Sequence, residues 1–212
     1  MLSMPLLDTE RLLIRPFAMD DLEAIQQILD IELRDADFGS EGAKTLSERR
    51  QWLQWTILNY EELATLYQPP YGDRAIILKQ DKRLIGACGF VPCLAPFGQL
   101  PSFSTTKESV ADNYFSAEFG LFYAVAPAYQ RQGYAVEATR AMIAYAFTEL
   151  QLRRIVATTT YDNAASIAVM RKVGMRIEKN PYPDPPWFQV VGILENCTGQ
   201  LGPHEICTLP YR

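Results

Sequence analysis

The sequence predicts a mixed α/β fold in which helices flank a central sheet, and two observations support this class. Segments rich in β-branched residues alternate along the chain with segments whose apolar residues recur at helical spacing. The 212 residues are 48% hydrophobic, which is enough to bury one good core, and no repeat or long linker divides them. We therefore expect a single domain over residues 1–212.

Local patterns in the first half of the chain predict two helices and three strands. Thr45 with Glu48 three residues later has the form of a capping box, so a helix begins there and runs to Tyr67, before Pro69 and Pro70. A short polar turn separates two strand-like segments and predicts an antiparallel hairpin. The expected elements are strand 11–17, helix 20–29, helix 45–67, and strands 74–79 and 83–91.

The second half of the chain predicts alternating strands and helices after a long connection. Residues 92–113 are rich in proline, glycine, serine and threonine and are too many for a plain hairpin turn, so we expect a surface excursion or lid. Gly174 marks the C-terminal stop of the last helix. The expected elements are strand 116–125, helix 135–150, strand 153–160, helix 162–174, and closing strands 188–194 and 204–211.

Charge and composition argue against several function classes. The net charge of −5 repels nucleic acid on average, so we expect no nucleic-acid partner. No apolar stretch approaches the roughly 18 residues of a membrane-spanning helix, and the first residues lack the layout of a signal peptide. The four cysteines show no paired C-x-x-C spacing. We expect a cytoplasmic protein with free thiols and no membrane partner.

The stretch from Tyr129 to Ala138 is YQRQGYAVEA and places a glycine directly after a strand and before a helix. The first N–H groups of a helix have no partner within it, and the helix dipole favours negative charge at that end. Gly133 lets the backbone approach a ligand closely, and Arg131 adds a positive charge. These features favour a phosphate, although an ordinary turn before a helix shares the same pattern. The chain contains neither of the common glycine-rich nucleotide loops.

Three motifs follow one another along the chain: TERLLIRPF, then AEFGLFYAVAPAYQRQGYAVEA with Gln130-x-x-Gly133-x-Ala135, then YAFTELQLRRIVATTTYDNAASIAVMRKVGM. Together they resemble the Gcn5-related N-acetyltransferase (GNAT) superfamily, and within it the RimJ/RimL-type branch of ribosomal-protein alanine acetyltransferases. The resemblance implies the acyl-CoA N-acyltransferase fold, with a mixed, mainly antiparallel sheet that is splayed at the cofactor site. It also implies acetyl-CoA as cosubstrate, no metal, and direct transfer of acetyl to a primary amine.

The resemblance assigns a set of residues to the cofactor. The strand is expected to splay after Leu121, so that backbone groups of residues 123–125 hold the pantetheine while those of residues 131–135 donate to the phosphates. Asn163 is expected to bind the cofactor arm, and the alternative is that it only caps a helix. The expected cofactor-binding residues are Tyr123, Ala124, Val125, Gln130, Arg131, Gln132, Gly133, Tyr134, Ala135 and Asn163.

Two residues are expected to take part in the transfer itself. Glu118 matches a position where this branch often places an acidic residue, and we expect it to accept the proton of the amine; the alternative is a solvated edge carboxylate. Ser166 is expected near the thioester sulfur, and the alternative is a plain first-turn residue. Met170 stands where many relatives carry a tyrosine acid, so the leaving thiolate is served by Ser166, by water or by nothing. Backbone N–H groups near Tyr123 and Ala124 are expected to polarise the thioester carbonyl.

Other chemistries have weaker support in the sequence. A Ser-His-Asp or Cys-His hydrolase needs His204, the only histidine, which lies beyond all three motifs. Cys197, His204 and Cys207 match no common zinc spacing. The main alternative to an enzyme is a protein of the same fold that binds acetyl-CoA or CoA as a sensor or interaction module.

The sequence carries no code for the acceptor. We expect a small-molecule or peptide amine, and prefer an α-amine because its pKa is about 7.7–8.0 and it is partly neutral at cellular pH. The 92–113 excursion is expected to shape the acceptor site. The sequence leaves open whether the chain is a monomer or a homodimer.

Overall fold

One mixed sheet of eight strands, flanked by four α-helices, makes up the part of the chain that the computed structural model describes, residues 4–35, 42–69, 71–103 and 113–196. The strands are β1 (Leu7–Asp8), β2 (Leu12–Pro16), β3 (Asp73–Leu78), β4 (Arg83–Ala95), β5 (Ser116–Val125), β6 (Arg154–Thr159), β7 (Arg176–Lys179) and β8 (Val190–Glu195). The helices are α1 (Leu22–Gln26), which continues as a π-helical segment over Gln27–Glu32, α2 (Leu46–Thr65), α3 (Tyr134–Thr148) and α4 (Ala164–Lys172). The predicted closing strand 204–211 lies outside the described residues.

The strand order in the sheet is β1-β2-β3-β4-β5-β6-β8-β7. Neighbouring strands are antiparallel except for β5 and β6, which run parallel. A parallel pair needs a crossover connection, and here α3 lies in the chain between β5 and β6. The predicted mixed, mainly antiparallel sheet with flanking helices is therefore confirmed.

The parallel strands β5 and β6 separate along their length. The ladder between β4 and β5 continues through all 10 residues of β5. By contrast, β5 and β6 share one register pair in the described chain, Gly120 with Val156. On either side of this pair β5 keeps β4 as a neighbour and has no register partner in β6, and on the side after Leu121 this leaves a gap in the sheet. This is the splay that the sequence predicts.

The two faces of the sheet carry different helices and separate apolar clusters. The cluster beneath α3 and α4 contains Leu12, Phe90 and Met142, whereas the cluster beneath α1 and α2 contains Ile25 and Leu53. Side chains alternate between the faces along a strand. In β5, the odd-numbered side chains from 119 to 125 therefore face α3 and α4, and the even-numbered ones face α1 and α2.

The connection from β4 to β5 begins later and lies deeper than the sequence predicts. Strand β4 continues to Ala95, so the first residues of the predicted 92–113 excursion are strand. Phe97 and Leu100 are fully buried, and Phe97 packs edge-on against Phe188 with ring centroids 5.2 Å apart. The prediction of a surface excursion is wrong in these two respects, because pairing with β5 and apolar burial outweigh the local loop signals. Residues 104–112 lie outside the described chain.

Candidate active site

The turn between β5 and α3 has the conformation that its sequence predicts. Gly133 immediately precedes α3 with a φ of +86°, and Arg131 has a φ of +60°. This left-handed region suits glycine, which has no Cβ. The first i→i−4 hydrogen bond of α3 runs from Glu137 N to Gly133 O over 3.0 Å. The N–H groups of residues 134–136 therefore face outward from the start of the helix.

Two glutamines stabilise this turn from within. Gln130 Nε2 donates to the backbone carbonyl of Val125 over 2.9 Å, and Gln132 Nε2 donates to that of Ala128 over 2.9 Å. The Arg131 side chain between them is exposed. The two amides thus fix the shape of the turn.

Arg11, just before β2, supports the same turn from the side. Its Nε donates to Glu137 Oε2 over 2.7 Å, and its Nη1 donates to the carbonyl of Gln132 over 3.0 Å. The guanidinium also lies over the ring of Tyr134, 4.3 Å from the ring centroid. A Cβ added to Gly133 would lie 3.3 Å from Arg11 Nη2. Arg11 is a site residue that the sequence did not predict, because Glu137 is 126 positions away.

The backbone of β5 presents alternate residues to the gap between β5 and β6. Ala126 N donates to Ile85 O of β4 over 2.9 Å, and backbone groups alternate in direction along an antiparallel strand. The N–H and C=O groups of Tyr123 and Val125 therefore point toward the gap, whereas those of Ala124 point toward β4. The prediction that Ala124 offers its backbone to the pantetheine or to a thioester carbonyl is wrong for this reason.

Asn163 and Ser166 form the N-terminal cap of α4. Asn163 Oδ1 accepts a hydrogen bond from Ser166 N over 3.0 Å, so Asn163 is the N-cap of α4, which is one of the two roles that the sequence predicts for it. The cap uses Oδ1 and leaves the amide Nδ2 for another partner. Ser166 Oγ lies 2.8 Å from the hydroxyl oxygen of Tyr123 on β5. The sequence predicted a role for the Tyr123 backbone and missed this side-chain contact.

Met170 of α4 belongs to the core. Its side chain is 1% exposed and lies in the apolar cluster beneath α3 and α4. A Cβ added to Gly192 of β8 would lie 2.9 Å from its sulfur. Met170 therefore fills the space between α4 and β8 and offers no proton donor to the gap.

Glu118 of β5 forms an ion pair with Arg154 of β6. Arg154 Nε donates to Glu118 Oε2 over 3.1 Å, and Nη2 of the same guanidinium contacts Oε1. The Glu118 side chain is 13% exposed, so the alternative of a solvated edge carboxylate is wrong. Arg154 also lies over the ring of Phe103, 4.0 Å from the ring centroid. The sequence did not predict Arg154, since nothing local links it to Glu118.

The candidate base and the hydroxyl pair lie on opposite faces of β5. Side-chain alternation places Glu118 on the face of Phe122, which packs with α1 and α2. Tyr123 reaches Ser166 on the face of α3 and α4. The Glu118–Arg154 pair precedes the Gly120–Val156 register pair, and Tyr123 follows it, so the carboxylate and the hydroxyl pair lie on opposite faces of β5 and on either side of that register pair.

Within the described ranges, no helix is long and apolar enough to cross a membrane. In the same ranges, no three side chains of histidine, cysteine, aspartate or glutamate are grouped as metal ligands would be. Cys197, His204 and Cys207, the residues of the zinc alternative, lie outside these ranges, as does the only histidine that a hydrolase could use.

Comparison with known proteins points to one family. The family model for the acetyltransferase (GNAT) domain matches residues 11–176. The chain is 29% identical over 175 residues to the uncharacterized N-acetyltransferase YoaA of Bacillus subtilis, a match that covers 82% of this chain and 84% of YoaA. A GNAT-family acetyltransferase from Bacillus anthracis has a similar structure, with a TM-score of 0.65 and 24% identity over 91% of this chain and 99% of that one. RimL, described as a ribosomal L7/L12 alpha-N-protein acetyltransferase and solved with coenzyme A, has a TM-score of 0.61 and 17% identity over 89% of this chain and 96% of its own.

Proposed function

The chain belongs to the acetyltransferase (GNAT) family, and we propose that it acetylates the α-amine of a protein or peptide N-terminus. Membership makes it an acetyl-CoA-dependent N-acetyltransferase. The acceptor class and the roles of individual residues are our inference. The observation that carries them is the gap between β5 and β6, which has the α3 turn beside it and polar side chains on both faces.

We assign the diphosphate of acetyl-CoA to the turn before α3. The outward N–H groups of residues 134–136 and the exposed Arg131 favour an anion at this helix end. The pantetheine arm carries amides that can pair with the gap-facing backbone groups of Tyr123 and with the N–H of Val125, whose carbonyl already accepts from Gln130, as a peptide does at an open sheet edge. The Nδ2 group of Asn163, which the helix cap does not use, is suited to donate to the same arm.

We propose that Glu118 is the base that accepts the proton of the attacking amine. Acetyl-CoA supplies the activated acetyl group as a thioester, and the amine must lose a proton for the new bond to form. Glu118 lies beside the point where β5 and β6 part, and its ion pair with Arg154 fixes the direction of its carboxylate. It accepts the proton directly or through one water. The gap-facing N–H of Tyr123 is placed to polarise the acetyl carbonyl.

The α-amine is favoured as acceptor by its proton affinity. An α-amine has a pKa of about 7.7–8.0, whereas a lysine side chain has a pKa of about 10.4 and is mostly charged at neutral pH. An N-terminal amine is therefore more easily deprotonated by a carboxylate base than a lysine side chain is. The net charge of −5 also attracts basic proteins. The structural similarity to RimL, an alpha-N-protein acetyltransferase, supports the same class.

The experiment is a panel of acceptors assayed for release of CoA. It compares peptides with a free N-terminus, Nα-blocked lysine peptides, free amino acids and polyamines at matched concentration. We expect the free N-terminal peptides to have the highest kcat/KM. Faster acetylation of the blocked lysine peptides, the amino acids or the polyamines would contradict the proposed acceptor class.

A further inference from the structure

The Tyr123 side chain spans the space between β5 and the first turn of α4. Its hydroxyl oxygen lies 2.8 Å from Ser166 Oγ, where either oxygen can be the donor, and 3.0 Å from the Ser166 backbone carbonyl, to which it can donate. A phenol hydroxyl has one proton, so it donates to only one of these oxygens at a time. Tyr123 therefore has two states, one bonded to the Ser166 carbonyl and one bonded to the Ser166 hydroxyl oxygen.

These two states set the direction of the Ser166 hydroxyl proton. The Ser166 N–H donates to Asn163 Oδ1, and this hydrogen bond fixes the position of the Ser166 backbone. When Tyr123 bonds the carbonyl, Ser166 O–H can turn inward and donate to Tyr123 Oη. When Tyr123 donates to Ser166 Oγ, the serine proton must point elsewhere, and Tyr123 lies on β5 beyond its one described register pair with β6.

Tyr123 is suited to donate a hydrogen bond and unsuited to give up its proton. Burial raises the pKa of Tyr123 to about 12, although the hydrogen bond with Ser166 acts in the opposite direction. An ordinary thiol has a pKa of about 8.5. Proton transfer from Tyr123 to a thiolate, even through Ser166, would therefore be unfavourable by about three to four powers of ten. The two hydroxyl groups could either pass a proton to the thiolate or orient a hydrogen bond toward it, and the high pKa of Tyr123 favours orientation.

We propose that Tyr123 is the positioning residue for Ser166: by donating to Ser166 Oγ, it directs the Ser166 O–H into the gap, toward the sulfur that leaves in acetyl transfer. The inference rests on the proposed function. In the reaction the amine nitrogen bonds to the acetyl carbon, the carbon–sulfur bond breaks, and its electron pair stays on sulfur. Glu118 or water takes the amine proton, Ser166 donates a hydrogen bond to the sulfur, and solvent later supplies the thiol proton. Neither hydroxyl changes its protonation state.

The test is a binding measurement that separates a charged sulfur from a neutral one. CoA and S-methyl-CoA are titrated into the protein about one pH unit above the thiol pKa, where CoA carries a thiolate and S-methyl-CoA does not. A hydrogen bond to a charged group favours the charged ligand, so we expect wild type to bind CoA about tenfold more tightly. In Tyr123→Phe the preference should fall to about twofold or less, while affinity for S-methyl-CoA and the melting temperature stay close to wild type.

Two further variants distinguish positioning from simple packing. Ser166→Ala should lose the same preference, and the double variant Tyr123→Phe with Ser166→Ala should be no worse than Ser166→Ala alone, since both act through one hydrogen bond. Tyr161→Phe is the matched control, because its hydroxyl donates to the carbonyl of Asn180 near the same helix. Tyr161→Phe should keep the preference for CoA. Turnover should fall about 10- to 100-fold in Tyr123→Phe with little change in the KM for acetyl-CoA.

Clear results would overturn the proposal. Retained preference for CoA in Tyr123→Phe, or additive losses in the double variant, would show that Tyr123 does not act through Ser166. Equal loss of affinity for both ligands, together with a lower melting temperature, would make Tyr123 a packing residue. A failure of the proposed function is distinguishable, because wild type would then acetylate no α-amine whatever its preference between the two ligands.

Discussion

Arg11 and Glu137 are joined by two hydrogen bonds across 126 positions of the chain, from Arg11 N to Oε1 over 2.8 Å and from Arg11 Nε to Oε2 over 2.7 Å. Partial burial acts to raise the pKa of Glu137, but hydrogen bonds from Thr9 and Arg11 outweigh it and lower the pKa. Glu137 is therefore charged at neutral pH and holds the Arg11 guanidinium in place. The same guanidinium donates to the Gln132 carbonyl. The relationship ties the start of β2 to the first turn of α3.

Arg11→Met should weaken acetyl-CoA binding by about tenfold, which corresponds to about 1.4 kcal/mol. The substitution removes the bond to the Gln132 carbonyl and frees the turn to adopt other shapes. Isothermal titration with acetyl-CoA measures the change. Arg15→Met is the matched control, because Arg15 also pairs with a carboxylate, and its side-chain hydrogen bonds among the described residues go to Asp21 and Pro16. Equal affinities for wild type and Arg11→Met would remove Arg11 from the site.

Gly133→Val should abolish the rise in melting temperature that acetyl-CoA gives to wild type. A ligand that binds only the native state stabilises it by mass action, and valine at Gly133 is strained at a φ of +86° and pushes toward Arg11 Nη2. Gly42 also has a positive φ, +64°, with open space around it. Gly42→Val should therefore carry similar strain and keep the acetyl-CoA shift. Loss of the shift in both variants would mean that backbone strain, and not the turn, controls binding.

Glu118→Gln should lower turnover by about 10²- to 10⁴-fold and leave acetyl-CoA affinity little changed. The amide keeps the shape of the carboxylate and removes its basicity. Rate and binding are measured separately, by CoA release and by titration. Arg154→Met breaks the same ion pair while keeping the carboxylate, so it should lower turnover less than Glu118→Gln does and should also lower stability. If both variants lost turnover equally, Glu118 would be a structural partner of Arg154 and not a base.

Asp73→Asn should make the protein more stable at pH 8 than wild type and change its pH dependence. Burial raises the pKa of Asp73 to about 7, against a smaller opposing effect of Arg49, and Asp73 Oδ1 has no hydrogen-bond partner among the described residues. Since the unfolded state loses this proton near pH 4, wild-type stability should fall as pH rises from about 4 to about 7. Asparagine avoids a buried charge and removes that fall. Urea unfolding at pH 5 and pH 8 measures the free energy of unfolding of both proteins. The same change between the two pH values in wild type and Asp73→Asn would contradict a raised pKa for Asp73.

The elements that the sequence predicted well are those with local signals. Thr45 and Glu48 form the reciprocal cap that their spacing predicts, and α2 begins directly after Thr45. Strand β5 has the predicted bounds, because Pro127 and a polar turn end it sharply. The glycine at 133 could be placed at a helix start for the same reason: its conformation is a property of a few neighbouring residues.

The features that the sequence missed depend on contacts between distant residues. Strand β7 is four residues long and exists because β8 pairs with it at the sheet edge. Arg154 becomes part of the site only because β6 lies parallel to β5. Likewise, the fully buried Leu100 makes the start of the connection after β4 part of the core. Such contacts follow from topology, which a single sequence pattern does not encode.

The proposed preference for an α-amine over a lysine side chain can be measured within one peptide that carries both a free N-terminus and a lysine. The peptide is incubated with acetyl-CoA and the enzyme under initial-rate conditions, and tandem mass spectrometry locates the acetyl group. Both amines share one molecule, so differences in peptide binding cancel. We predict that the acetyl group is found on the N-terminal nitrogen. Acetylation mainly on the lysine side chain would contradict the account.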